Sequence, residues 1–299
     1  MVSVIIPTYG GGEGLDRTIE SILSQTYPCV EIIVVDDNGY GSQNQIHTEA
    51  ILQKYLDNGK IRYLTPLTNG GGSAARNRGA AIATGRYLMF LDDDDTVSPD
   101  KIAKQVTALE ALPETYAISY VSSKIYVNDT LSNIIYARKS GSHLYDFLMN
   151  RIYMGTGTVL LRREAYDAVG GYDESFVRHQ DWEFFARILN QYQCVAVEDA
   201  YFNRYITNRN TPANIATAEK YMDHYIAFLK SYPFSLSKRQ TRKLVNYNNA
   251  KIALQYLKTK KFNDFWRVLR KYDTIFAAGV QFVLFAVTAV CDKAAGKKS

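Results

Sequence analysis

The stretch FLDDDDTVSPD (90–100) sets two apolar residues before Asp92, Asp93, Asp94 and Asp95 and a helix-start pattern after them. Adjacent carboxylates repel one another, and withdrawing each from water costs several kcal/mol unless something positive compensates. Most acidic runs are solvated surface. This one is delivered by YLMFL (87–91), which reads as a buried strand. Ser98 and Pro99 are expected as N-cap and first helical residue of the next helix. The plain structural reading of the acids is a turn capping that helix, and Asp95 fits it best.

Outward from this point the chain alternates strand and helix. VSVIIP (2–7), VEIIVV (30–35) and IRYLT (61–65) read as strands, and LDRTIESILSQ (15–25) and about 43–57 as helices. SAARNRGAAIAT (73–84) reads as a helix whose small residues suit close approach to a sheet. Short apolar strands separated by helices imply a mostly parallel, doubly wound α/β sheet flanked by helices. AISYVSSKIYV (117–127) and GTGTVLLRR (155–163) add strands, and HQDWEFFARILNQ (179–191) has helical apolar spacing. Beyond about residue 214 helices dominate. The expected division is an α/β domain over 1–213 and a helical region over 214–299.

Charge divides the chain in the same way. Residues 230–299 hold 15 Lys/Arg against 3 Asp/Glu, and the rest hold 20 against 27, beneath a net charge of +5. An acidic body excludes general nucleic-acid binding, and a basic tail suits an anionic surface. With 46% apolar residues a large core is available. Cys29, Cys194 and Cys291 form no CxxC pair, which excludes a disulfide framework and a zinc site and fits a reducing cytosol. MVSVIIPTYG lacks the basic region and long apolar run of a signal peptide.

In parallel α/β sheets, ligands bind beyond the carboxyl ends of the strands. Thr8–Tyr9, Asp36–Asp37 and Asp92 to Asp95 are expected at three such ends. Asp92 and Asp94 share a side if the chain stays extended. Two hard oxygen ligands suit Mg²⁺ or Mn²⁺, which fills its shell with substrate phosphates. An EF-hand fails, with Val97 where Gly is needed and Ala103 where Glu is needed. Gly70, Gly72 and Ala75 satisfy the dinucleotide fingerprint, but at the third strand instead of the first. Arg76 and Arg78 in that helix suit a phosphate, or else a solvated face. Asp181 opens an amphipathic helix, where an acid is also favoured by the dipole. His179 reads as its neighbour or cap.

Taken together, VSVIIPTY (2–9), VVDDN (34–38), GGGSAARNRGAA (70–81), ATGRYLMFLDDDD (83–95), GGYDESF (170–176) and QDWEFFARI (180–188) resemble the family 2 glycosyltransferases, of GT-A fold. The order and spacing hold over about residues 2–206. The resemblance implies metal-assisted, inverting transfer of a sugar from a nucleotide-sugar donor, a UDP-sugar favoured, to a hydroxyl of a glycan or lipid-linked acceptor in surface polysaccharide assembly. It implies that Pro7, Thr8, Tyr9 and Asp37 hold the base, with Arg76 beside the nucleotide. Asp92 and Asp93 would lie near ribose and sugar, Asp94 on Mn²⁺ or Mg²⁺, and Asp181 in the place of the catalytic base. The chain departs from the pattern at Gly10, usually Asn, and at Gln180, usually Glu. It also has no His in YFNRYITNRNT (201–211), leaving Asp94 and the diphosphate as expected holders of the metal. The alternative is a catalytically silent nucleotide-sugar-binding or scaffold module; a dinucleotide oxidoreductase is more distant.

TIFAAGVQFVLFAVTAVC (274–291) is apolar for 18 residues. As a helix it would be roughly 27 Å long, slightly short of the ~30 Å hydrocarbon core. Basic clusters on both sides suit a helix lying in an anionic membrane interface; a helix packed on the body or in an oligomer is the alternative. The expected location is cytoplasmic, peripheral on the inner face of the cell membrane.

Overall fold

The structure is a computed structural model and describes residues 1–12, 14–206 and 214–271. The chain divides into two compact units, Met1–Arg209 and Asn210–Ser299. The apolar segment 274–291 lies outside the described residues.

The first unit opens with β1 (Val2–Thr8), α1 (Leu15–Leu23), β2 (Val30–Asp36), α2 (Gln43–Leu56), β3 (Arg62–Leu64), α3 (Gly71–Ile82) and β4 (Tyr87–Phe90). Its strands lie in the order β3-β2-β1-β4, all parallel, with Val4 opposite both Ile32 and Met89. Alternation sends successive side chains to opposite faces. Val4, Ile6, Val34, Met89 and Leu91 join Leu15, Ile19, Leu52, Ile102 and Val106 in one buried cluster. Ile5, Val35 and Phe90 face the other way. There Gly79 of α3 lies so close that an added Cβ would come within 2.4 Å of Ile5 Cγ2. The small-residue helix expected from the sequence is therefore a close-approach device. Phe90 packs edge-on to Tyr172 and Phe184.

The second half departs from the expected parallel sheet. After β5 (Thr96–Val97) and α4 (Lys101–Glu110) come β6 (Tyr116–Val127), β7 (Thr130–Ile135) and α5 (Leu144–Leu148). Then follow β8 (Val159–Arg162), α6 (Arg163–Ala168), α7 (Gln180–Leu189) and β9 (Gln193–Ile206). β8 is antiparallel to both β4 and β6, β9 runs parallel to β6, and β5 and β7 pair antiparallel with β9 and β6. The sheet is mixed because β8 enters between β4 and β6 from the opposite end. Gly157, just before it, leaves room for the Phe202 ring, which an added Cβ would meet at 2.2 Å.

The helix after the carboxylates begins at Lys101, with Asp100 at its N-cap and no side-chain cap bond. Ser98 does not cap it, because its hydroxyl accepts the Tyr201 N–H at 3.0 Å and so serves β9. Lys101 itself is wholly buried, its Nζ 3.5 Å from Met89 Sδ.

The second unit contains α8 (Ile215–Ser231), α9 (Lys238–Lys258) and α10 (Phe262–Leu269). Asn214 caps α8, and Ser237 with Gln240 forms a capping box on α9. Among the described residues no helix is long and apolar enough to cross a membrane.

Burial pulls the Lys101 ammonium down to about 7 from 10.5. The folded chain thus sheds this proton near pH 7, whereas the unfolded chain holds it to near 10.5. The unfolded state binds more protons across that window, so wild-type stability rises with pH through it and the full penalty stands below it. Lys101→Met should stabilise the protein by about 1–4 kcal/mol at neutral pH. Chemical denaturation along a pH series should show that advantage shrinking toward pH 10.5.

Candidate active site

The strand order reverses direction between β1 and β4, which opens a crevice at their carboxyl ends. β1 ends there in Thr8, β2 in Asp36, and Leu91 to Asp95 leave β4. Thr8, buried, donates its hydroxyl to Asp93 Oδ2 at 2.5 Å, while Tyr9 beside it is 65% exposed. Gly14 lies against the same run: an added Cβ would stand 2.7 Å from both Asp93 O and Asp94 Cα.

The positive group that the structure sets beside the carboxylates is Arg76. It is buried on α3, donates Nη2 to Asp92 Oδ1 at 2.6 Å and donates Nη1 to Gln180 Oε1 at 3.0 Å. Its Nε has no hydrogen-bond partner among the described residues. Burial works against the guanidinium charge, but Asp92, with Tyr172 and Asp181 nearby, more than offsets it and keeps the proton on. Arg76 therefore joins the β4 carboxylates to the start of α7, two segments far apart in sequence.

Asp95 has a role the sequence did not suggest. It is buried, and its carboxyl accepts the Tyr205 N–H at 2.8 Å instead of capping α4. Burial, together with Asp92 and Asp94, pushes it up to about 8. Asp94 is half-buried, and its backbone carbonyl accepts Arg17 Nη2 at 3.0 Å.

Asp37 is almost fully buried beyond the end of β2. It accepts the Gly70 and Gly71 N–H groups, the latter at 2.7 Å, and Arg78 Nη1 at 3.1 Å. Its carboxylate thus holds the N-terminus of α3, and Arg78 is paired with it instead of lying on a solvated face. Pro7, half-buried, precedes Thr8 in β1.

Asp181 sits in the first turn of α7, half-buried, with Oδ1 accepting the Trp182 N–H at 3.0 Å. Burial raises its pKa above the ordinary carboxylate range; the Trp182 N–H and Arg76 oppose this, and Asp92 adds to it. His179 holds the N-cap position in the left-handed region at φ 61° and makes no cap bond. Its ring stacks on Trp182 at 4.6 Å.

Three residues that sequence reading passed over complete the site. Tyr172 lies under Arg76, with Arg76 Cζ 5.5 Å from the ring centroid. Tyr153 accepts Arg204 Nη1 at 3.2 Å. Burial raises the Tyr153 pKa, Arg204 opposes, and Asp181 and Asp95 add to it. Arg204 makes no ion pair among the described residues. Only its position near the end of a polar strand hinted at this, and no motif marks it.

Among the described residues no three His, Cys, Asp or Glu side chains form a metal-ligand cluster. The donor set nonetheless fits Mg²⁺ or Mn²⁺, which takes one or two carboxylates and completes its shell with phosphate and water. Within the run, Asp92 is tied to Arg76 and Asp93 to Thr8.

The chain is 26% identical over 261 residues to the amylovoran biosynthesis glycosyltransferase AmsB of Erwinia amylovora, covering 85% of this chain and 84% of AmsB. Some relatives are longer: it spans 29% of a glycosyltransferase of Rickettsia bellii at 30% identity. Its fold matches S. aureus TarS 1–349 in complex with UDP-GlcNAc at TM-score 0.63 and 17% identity, over 86% of this chain and 72% of TarS. It also matches the mannosyltransferase PcManGT of Pyrobaculum calidifontis in complex with GDP-Man and Mn²⁺ at TM-score 0.61 and 17% identity, over 97% and 80%. The mixed α/β sheet is thus the GT-A-like fold. The sequence profile described as glycosyl transferase family 2 matches residues 3–170. With more than half of its length matched, the chain is a glycosyltransferase and belongs to glycosyl transferase family 2.

Proposed function

We propose that the first unit is an inverting transferase that moves a sugar from a nucleotide sugar, a UDP-sugar by preference, to a hydroxyl of a glycan or lipid-linked acceptor in surface polysaccharide assembly. The observation that carries this is the Arg76 bridge, which gathers Asp92, Gln180 and the neighbouring Asp181 at the strand switch point. The domain boundary is proposed near residue 213, with the chemistry before it. The name of AmsB and the UDP-GlcNAc and GDP-Man held by the structural neighbours support the donor class and the pathway.

In this reading Pro7, Thr8 and Tyr9 line the base side of the crevice, and Asp37 shapes its far wall by holding Gly70 and Gly71. Thr8 fixes Asp93, and Arg76 fixes Asp92, so that both meet the ribose and sugar in one orientation. The acceptor hydroxyl attacks the anomeric carbon from the face opposite the diphosphate. Its oxygen forms the new bond, the bond to the diphosphate oxygen breaks, and the proton passes to Asp181 Oδ2. The raised proton affinity of Asp181 suits it to accept that proton. Asp94, with the donor diphosphate, would hold Mn²⁺ or Mg²⁺, which when bound neutralises charge on the departing nucleoside diphosphate. The basic helical region after residue 213 would keep the enzyme on the inner face of the cell membrane, near a lipid-linked acceptor.

Three outcomes are expected. Asp181→Asn should bind UDP as wild type does yet lower transfer by at least ~10². Wild-type turnover should fall on the acid side as pH drops through the raised Asp181 pKa, because the protonated carboxyl cannot accept the proton. Transfer within a few-fold of wild type would reduce Asp181 to a helix-start residue. Asp94→Ala should abolish the Mn²⁺-dependent part of UDP affinity in calorimetry, and an unchanged metal dependence would remove Asp94 from the metal.

A further inference from the structure

In the second unit, α10 is held to its bundle along one side. Phe265 and Val268 are buried. Glu219 of α8 accepts Arg267 through two bonds of 2.7 Å, Lys271 at 2.7 Å and the Tyr256 hydroxyl at 2.8 Å. Arg267, first among these contacts, draws the Glu219 pKa down to about 2. Contacts from two successive turns fix the rotation of α10 about its axis.

That rotation decides what the opposite side presents. Phe262 and Trp266, one turn apart, are 55% and 56% exposed. Arg270 continues the same stripe. Lys258, Lys260 and Lys261, all exposed, precede it. Arg267 and Lys271 are occupied by Glu219, Asp223 and Asp264. The other four cations make no ion pair among the described residues. Two large rings beside four uncompensated cations match a partner that is apolar beneath and anionic above. A lipid surface has that layering, and an indole ring is favoured at headgroup depth.

We infer that this face of α10 docks on an anionic lipid bilayer. Phe262 and Trp266 enter the boundary between headgroups and acyl chains, and Lys258, Lys260, Lys261 and Arg270 meet lipid phosphates. The inference rests on the membrane reading proposed above but assigns the contact to named residues separate from the apolar segment 274–291.

The test is co-sedimentation of the full chain with phosphatidylglycerol/phosphatidylcholine vesicles, read together with tryptophan emission. Wild type should partition to anionic vesicles, less so as salt rises, with a blue shift that Trp266→Phe removes. The exposed-site double variant Phe262→Ser/Trp266→Ser should melt as wild type does, yet partition at least about tenfold less. If wild type does not partition, the membrane reading and this inference both fall. If wild type and the double variant partition alike, the membrane reading stands through another segment and the α10 inference falls. It also falls if the double substitution converts a dimer to a monomer without changing vesicle binding, since the face is then a contact between copies.

Discussion

Four consecutive carboxylates at the end of a buried strand can persist only if their charge is answered locally, and the ion pair between Arg76 and Asp92 is where most of that answer lies. The remaining acids are handled differently. Asp93 takes a hydroxyl from Thr8, Asp95 takes a backbone N–H and is pushed up to about 8, and Asp94 stays half-buried. Each carboxyl thus has a separate environment, although the four share one sequence character. Opposite charge, hydrogen bonding and burial thus each act on a different member of the run. Because Arg76 also reaches Gln180, this compensation fixes where the start of α7 lies relative to β4. The position of Asp181 depends on it.

The first half of the fold was legible because alternation there is strict. Val4, Ile6 and Val34 belong to one face and Ile5 and Val35 to the other, and both faces are covered. The antiparallel entry of β8 was not legible, since VLLR carries no mark of direction. Ser98 and Asp95 were misread for a shared reason. Both were assigned to the nearest helix, while their actual partners, Tyr201 and Tyr205, lie about a hundred residues later on β9. Local propensity cannot anticipate a strand that returns from so far away.

The site shows the same division. Thr8, Asp37 and the four acids stand at strand ends, so topology brings them together once the strands are recognised. Arg204 and Tyr153 come from irregular or late positions and meet only through β9 and the segment before β8. Asp37 illustrates a subtler limit. Its place beyond β2 was readable, but not that its carboxylate holds the N–H groups of Gly70 and Gly71 and the Arg78 guanidinium. The fold persists at 17% identity to its structural neighbours, because the alternation that makes the sheet tolerates many apolar residues.

Gly14 has consequences of a different kind. The atoms that an added Cβ would meet are the Asp93 carbonyl and the Asp94 Cα, both backbone, so no rotamer change can make room. Every coding change away from glycine adds at least a Cβ, so the position has essentially no neutral neighbours in sequence space. The collision falls on the carboxylate run and not on the apolar cluster beneath it. Variation at Gly14 should therefore produce chains that still fold and accumulate but have lost their chemistry, the signature by which a genetic screen separates an active-site wall from a structural core.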